Sequence, residues 1–181
     1  FGFVGRLSEQ KGLDIFAHSM DEMMKQDVQL IFQGVGEDKY QYMLKDFQRR
    51  FPGKIAVHLK FNEALAHQIY AGSDIFMMPS IYEPCGLSQM ISFRYGTVPL
   101  VHHTGGLLDT VMPYKFTANQ GDGFVFMKFE KGAFLKAFET AVKVFQDKDV
   151  FSEMAQRIMK YDFSWTTSAI EYKKLYQRCI S

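Results

Sequence analysis

The 181-residue chain contains only two cysteines, Cys85 and Cys179, too few for the disulfide framework of a small secreted domain. This scarcity is typical of a reducing compartment, and we interpret Cys179 as a small buried apolar side chain. No stretch approaches the roughly 20 apolar residues that span a bilayer, and no basic start with an apolar run marks a secretory signal. The sequence therefore predicts a cytoplasmic protein without a membrane partner.

The chain also lacks an excess of one charge. It has 21 basic and 20 acidic residues, and its formal net charge is +1. No run of Lys or Arg forms the basic stripe that a nucleic acid would need. His102 and His103 are adjacent, but no Cys, His or Asp cluster has metal-ligand spacing, so we interpret both as surface or loop histidines. The sequence predicts neither a nucleic-acid partner nor a metal.

The chain lacks an initial Met and opens at Phe1 inside a strand-like run, which suggests a piece of a longer protein. Its composition, 47% hydrophobic with 23% charged residues, is ordinary for a globular domain and unlike that of a disordered segment. A length of 181 residues favours one domain over two.

Short apolar runs alternate with helical patterns along the chain. The predicted strands are 1–4, 28–32, 55–59, 75–78, 98–101 and 123–126. Between them, apolar residues recur at three-and-four spacing, as in a buried face made by Leu13, Phe16, Ala17 and Met20. Asn62 is a predicted N-cap, and further helices are expected at 134–145, 151–159 and 166–179. Such alternation predicts an α/β fold with a doubly wound, Rossmann-like parallel sheet.

In a doubly wound sheet, ligands bind beyond the carboxyl ends of the strands. The loops at 5–11, 34–36, 80–85 and 102–106 are therefore expected to meet at one crevice. Arg6 and Lys11 lie on the first of them, where a guanidinium fork and an ammonium suit a diphosphate. The alternative is that both are solvated loop cations, which base rates alone favour.

The segment 80–89 carries the second set of candidates. A strand ends at Pro79, Glu83 offers a carboxylate, and a helix begins near Gly86. Free N–H groups of Gly86, Leu87 and Ser88 at the positive helix end would face a phosphate. The alternative is a plain helix cap with Glu83 ahead of the first turn.

Two glycine-containing loops are weaker candidates. Gly34 follows a strand, and Thr104, Gly105 and Gly106 follow another. A glycine pattern of this kind more often forms a tight turn than a phosphate-binding loop.

Four segments of the chain, in this order, resemble the C-terminal domain of bacterial glycogen synthases and plant starch synthases. They are GFVGRLSEQKGLD, YAGSDIFMMPSIYEPCGLSQM, RYGTVPLVHHTGGLLDTV and GDGFVF. The resemblance covers nearly the whole chain, and EPCGL is its most specific part. It implies a retaining glycosyltransferase of the two-domain B type, with the active site between two Rossmann-like halves.

The resemblance also implies roles for individual residues. Arg6 and Lys11 match the family's cations that hold the donor diphosphate and stabilise the departing nucleoside diphosphate. Glu83 matches the carboxylate beside the donor glucose. Gly86, Leu87 and Ser88 match the helix start that faces phosphate and ribose, and Thr104, Gly105 and Gly106 match a loop of the cleft near the donor sugar. Gly34 and Cys85 are further candidates for nucleotide binding.

Two positions depart from related patterns. Phe61 stands where the family usually has a Tyr stacked on adenine, so the ring can stack but lacks the hydroxyl. Ile91 stands where many related glycosyltransferases have a second Glu, and the glucan synthases share this departure. The departure at Ile91 therefore supports the narrower assignment to the glucan synthases, whereas Phe61 departs from their own usual residue.

By this resemblance, residues 1–181 are the donor-nucleotide-binding C-terminal domain, and the catalytic N-terminal half lies outside the chain. The expected partners are ADP-glucose or UDP-glucose, an α-1,4-glucan acceptor and that N-terminal domain, with no cofactor. A plant source would place the protein in the plastid. The domain alone is expected to be inactive. The alternatives are another nucleotide-sugar transferase or epimerase of this architecture, and a nucleotide-binding regulatory module without turnover.

Overall fold

Six parallel strands form the sheet in the computed structural model, which describes residues 1–180. The strands are β1 Gly2–Val4, β2 Leu30–Gln33, β3 Ile55–His58, β4 Ile75–Met78, β5 Val98–His102 and β6 Phe124–Phe126. The helices are α1 Asp14–Met23, α2 Asp38–Arg50, α3 Glu63–Gly72, α4 Ser88–Arg94, α5 Leu107–Thr110, α6 Lys131–Gln146, α7 Lys148–Ile158 and α8 Trp165–Cys179. The predicted doubly wound α/β fold is confirmed, and the predicted strands agree with the observed ones to within two residues.

The strand order is β3-β2-β1-β4-β5-β6, so the chain first builds one half of the sheet outward from β1 and then the other half from β4. Gly2 lies beside Ile31 of β2 on one side and Phe76 of β4 on the other. The order therefore reverses between β1 and β4. This is the switch point at which doubly wound sheets bind ligands.

Both faces of the sheet are covered by helices. Phe3 of β1 packs edge-on against Phe16 of α1, with ring centroids 6.2 Å apart. The neighbouring Gly2 approaches Ile69 of α3 so closely that an added Cβ would lie 2.8 Å from it. Because successive side chains of a strand point to opposite faces, α1 and α3 cover opposite sides of the sheet.

An aromatic cluster fills the core between α1, α6 and the sheet. Phe16 is completely buried and lies 5.3 Å from Phe32 and 5.7 Å from Phe134, both in edge-to-face contact. Edge-to-face aromatic pairs add roughly 0.5–1.5 kcal/mol each beyond the area that they bury. This packing holds α6 on the same face of the sheet as α1.

Some local predictions hold and others do not. Asn62 caps α3 as expected, because its side chain accepts a hydrogen bond from the Leu65 N–H at 3.0 Å. Ala17 is exposed, so it does not belong to the buried face of α1. Cys179 is also exposed, and its interpretation as a buried side chain is wrong because α8 buries none of its residues within the described chain. None of the helices in residues 1–180 has the length and hydropathy of a transmembrane span.

Candidate active site at the switch point

The loops that follow β1 and β4 meet at the switch point and are joined through their backbones. The Ile81 N–H donates to the Gln10 carbonyl at 2.9 Å, and the Gln10 side chain donates to the Tyr82 carbonyl at 3.1 Å. Gly12, with φ +70°, lets the first loop approach the second, since an added Cβ would lie 1.7 Å from the Pro79 carbonyl oxygen. Only glycine permits both this dihedral angle and this contact.

Lys11 and Glu83 form an ion pair between these two loops. The Lys11 Nζ lies 2.6 Å from Glu83 Oε2, and their side chains are 21% and 10% exposed. The Ser80 hydroxyl donates to the same carboxylate oxygen at 3.0 Å. The predicted cation and the predicted carboxylate are thus in direct contact, and a third polar group orients the carboxylate.

Arg6, the second predicted cation, is placed differently. Its side chain is exposed, and it makes no hydrogen bond or ion pair with any other residue in the range 1–180. An exposed, unpartnered guanidinium can present its planar fork to a ligand without first breaking a contact. The two cations therefore differ, because Lys11 already has an anionic partner and Arg6 does not.

The loop from Pro84 to Ser88 leaves several backbone donors free. The N–H groups of Gly86, Leu87 and Ser88 donate to no other residue among those described. Gly86 has φ +76° and is followed by Leu87 in a right-handed conformation, a sequence of backbone angles that makes successive N–H groups converge on an anion. The helix after this loop starts at Ser88 instead of the predicted Gly86.

Ser88 has a side-chain partner that the sequence did not reveal. The Tyr70 hydroxyl, on the last turn of α3, donates to Ser88 Oγ at 3.0 Å. Burial raises the pKa of Tyr70, so this phenol remains protonated and remains a donor at neutral pH. The Ser88 hydroxyl proton is then free to be donated elsewhere.

The loop after β5 packs directly on Glu83. The Gly106 N–H donates to the Glu83 carbonyl at 2.9 Å, and an added Cβ on Gly105 would lie 2.0 Å from the same oxygen. Thr104 begins this loop and is half-buried. The structure thus brings Lys11, Glu83, Gly105 and Gly106 together, from the loops after β1, β4 and β5.

The remaining predicted residues are Gly34, Phe61 and Cys85. Gly34 packs against the first loop, since an added Cβ would lie 2.0 Å from the Gly5 carbonyl oxygen. This contact is a packing of two loops, as expected of a tight turn. Phe61 follows the edge strand β3, is 83% exposed, and contacts no other aromatic ring within residues 1–180. Cys85 is exposed on the loop after β4.

His102 is not the surface or loop histidine that the sequence predicted. It lies at the end of β5, is 9% exposed, and places its Nδ1 2.7 Å from the Ser80 carbonyl oxygen. Its ring stacks on Phe126 at 5.1 Å. The prediction failed because the end of a central strand is covered on both faces. His103, the next residue, has two inaccessible ring nitrogens without a partner among residues 1–180.

Sequence reasoning also missed Ser80, Tyr70 and Gln89 as parts of this arrangement. Each is a buried polar side chain whose partner comes from elsewhere in the fold or from a turn. Gln89 offered the one available signal, since it is a polar residue inside the apolar pattern after EPCGL. No group of three or more His, Cys, Asp or Glu side chains in the described part of the chain is placed to hold a metal ion.

The parallel sheet and the charged loops at its switch point define a doubly wound α/β domain with a candidate ligand site. Comparison with known proteins places this domain in a family. The model of the glycosyl transferases group 1 family matches residues 1–159, so the chain belongs to this family. It is 47% identical over 181 residues to a glycogen synthase of Fervidobacterium nodosum and 45% identical over 177 residues to one of Desulforudis audaxviator.

These alignments cover 100% and 97% of this chain but only 37% and 35% of the two relatives. Among solved structures, the catalytic domain of starch synthase IV from Arabidopsis thaliana, bound to ADP and acarbose, superposes with a TM-score of 0.88. It is 35% identical, and the match covers 98% of this chain and 37% of that one. The chain thus spans a little over a third of the length of each of these relatives.

Proposed function

We propose that residues 1–181 are the donor-binding, C-terminal domain of a glucan synthase. The whole protein would transfer glucose with retention from a nucleotide sugar, ADP-glucose before UDP-glucose, to the non-reducing end of an α-1,4-glucan. The observation that carries the proposal is the ion pair of Lys11 with Glu83 beside the unpaired N–H groups of the next loop, at the switch point of the sheet. The identity of 45–47% to glycogen synthases supports the choice of glucan as acceptor.

The reaction breaks the bond between the anomeric carbon of glucose and the phosphate oxygen, and the electron pair leaves with the nucleoside diphosphate. Negative charge grows on that diphosphate while the sugar becomes oxocarbenium-like. Arg6, Lys11 and the N–H groups of Gly86 and Leu87 would stabilise the leaving group. Donors aimed at developing charge commonly account for roughly 2.7–4 kcal/mol each.

Glu83 has two tasks in this proposal. Its carboxylate holds Lys11 in position before the donor arrives, and it lies beside the glucosyl group when the donor is bound. Near an oxocarbenium-like sugar, a nearby negative charge is stabilising. The Ser80 hydroxyl keeps one carboxylate oxygen oriented throughout.

The remaining candidates would shape the donor site. Phe61 would stack on the base, Gly34 and the 104–106 loop would line the crevice, and Cys85 would lie beside the phosphates. In this scheme Arg6, Lys11 and the backbone N–H groups stabilise the leaving group, and no metal takes part. A further domain of the whole protein would hold the glucan acceptor.

An elongation assay on the purified whole protein tests the proposal. The protein is incubated with a glucan primer and either ADP-glucose or UDP-glucose, and nucleoside diphosphate release and chain length are measured together. The proposal expects release coupled to elongation, faster with ADP-glucose, with new α-linkages seen by proton NMR. Donor hydrolysis without elongation, or transfer only to an acceptor other than glucan, would contradict it.

A further inference from the structure

Gln89 is a completely buried amide on the first turn of α4, and its side chain is surrounded by oxygen acceptors. Its Nε2 lies 2.9 Å from the Gly86 carbonyl oxygen, 3.1 Å from that of Cys85 and 3.1 Å from Thr110 Oγ1. The Thr110 hydroxyl donates to the Gly106 carbonyl at 2.8 Å, so its oxygen acts as an acceptor towards Gln89. Three acceptors around one atom identify that atom as the amide nitrogen.

These contacts fix the orientation of two peptide planes, the one between Cys85 and Gly86 and the one between Gly86 and Leu87. The C=O and N–H of a trans peptide point in opposite directions, and no peptide bond in residues 1–180 is cis. With the Cys85 carbonyl turned towards Gln89, the Gly86 N–H points away from it. With the Gly86 carbonyl turned the same way, the Leu87 N–H also points away.

The two N–H groups oriented in this way have no acceptor within the described residues. Gly86 is itself buried, and buried backbone N–H groups in proteins are nearly always paired. A ligand with acceptor oxygens is therefore the expected partner of the Gly86 N–H, and Leu87, which is 68% exposed, lies where such a ligand can reach it. A side chain at Gly86 would be strained, because φ is +76° and an added Cβ would lie 2.5 Å from Gln89 Oε1.

We infer that Gln89 is a positioning residue that turns the Gly86 and Leu87 N–H groups towards the leaving diphosphate. The inference rests on the proposed function, and it assigns Gln89 an indirect role, since its side chain touches only protein. Through Thr110 it also links the loop after β4 to the helix that follows the 104–106 loop. One amide thereby sets the relative position of two walls of the donor site.

The test compares Gln89→Met with wild type in the whole protein. Met keeps the length of the side chain but removes both amide donors. We expect kcat to fall roughly 100-fold, as when preorganised donors are lost, with little change in the KM for the glucan primer. ADP affinity should fall more than adenosine affinity, because only ADP carries the phosphates.

Thr97→Val is the matched control. Thr97 is also buried, and its hydroxyl donates to the carbonyls of Tyr70 and Ser73 at the opposite end of the sheet. It should lower the melting temperature by a similar amount while leaving kcat and the ADP-to-adenosine affinity ratio unchanged. If Gln89→Met does not fold, Gln89→Asn stays neutral but draws the amide nitrogen back by one methylene from the Gly86 and Cys85 carbonyls, and losses in the same direction are expected.

The outcomes separate this inference from the proposed function. If wild type neither binds ADP nor elongates glucan, the proposed function fails. If wild type does both and Gln89→Met or Gln89→Asn keeps the wild-type affinity ratio and kcat, or loses no more than Thr97→Val, Gln89 is merely structural and the inference is overturned.

Discussion

Lys11 and Glu83 are separated by 72 positions in the chain, yet their charged atoms lie 2.6 Å apart across the switch point of the sheet. Both side chains are largely buried, so each charge compensates the other in a partly desolvated place. A ligand phosphate that binds the Lys11 ammonium group therefore binds a group that is already paired with the Glu83 carboxylate.

The two cations should respond differently to removal. Arg6→Ala and Lys11→Ala should each lower kcat of the whole protein about 30- to 1,000-fold, which corresponds to roughly 2–4 kcal/mol. Only Lys11→Ala should also destabilise the fold, by about 1–3 kcal/mol, because it leaves Glu83 buried without its partner. Turnover assays and urea unfolding measure the two effects. Arg49→Ala, which removes an exposed arginine of α2, is the control.

Near-normal turnover in both variants would refute the assignment of Arg6 and Lys11 to the diphosphate. Equal stability of the two variants would contradict the difference that we draw between them.

Glu83→Gln should impair turnover and leave ADP affinity close to that of wild type. The amide keeps the shape and accepts from Ser80 or Lys11, but it removes the negative charge beside the donor glucose. Calorimetric titration with ADP, together with kcat, measures the two properties separately. Normal turnover with a large loss of ADP affinity would assign Glu83 to binding alone.

Gly12→Ala tests the contact that brings the two loops together. A methyl group there would meet the Pro79 carbonyl, and we expect a loss of more than about 2 kcal/mol in the free energy of unfolding, with loss of turnover. Gly53→Ala is the matched control, since Gly53 has a similar φ of +77° but nothing within 4 Å of an added Cβ. It should cost only about 1–2 kcal/mol and leave turnover intact. Equal effects would show that the contact with Pro79 is unimportant.

Residues 1–181 expressed alone should fold, bind ADP weakly and produce no glucan. The sheet has helices on both faces, and all the proposed donor contacts lie within these residues. Without the rest of the protein, water screens Arg6, and the acceptor is not held near the donor. Circular dichroism, ADP titration and an elongation assay test the three parts. Elongation by this domain, or no binding at millimolar ADP, would contradict the prediction.

Much of the architecture was readable from the amino-acid sequence, because strands and helices leave local periodic patterns. The runs at 75–78 and 98–101, with the helical spacing between them, were sufficient to predict the parallel sheet and the ends at which its loops gather. The glycines and charges of EPCGL and of the first loop marked the candidate site for the same reason, since turn chemistry is local.

Tertiary structure alone decided which of those residues touch. The contact of Lys11 with Glu83 depends on β1 and β4 becoming neighbours, and no local pattern encodes that distance. His102 is buried because a central strand ends there, and Gln89 acts because its amide faces two carbonyls that the Gly86 turn brings within reach. The exposure of Cys179 has the same origin, since the burial of a helix depends on what packs against it. Periodicity follows from bonded geometry, whereas side-chain partners follow from the packing of distant segments.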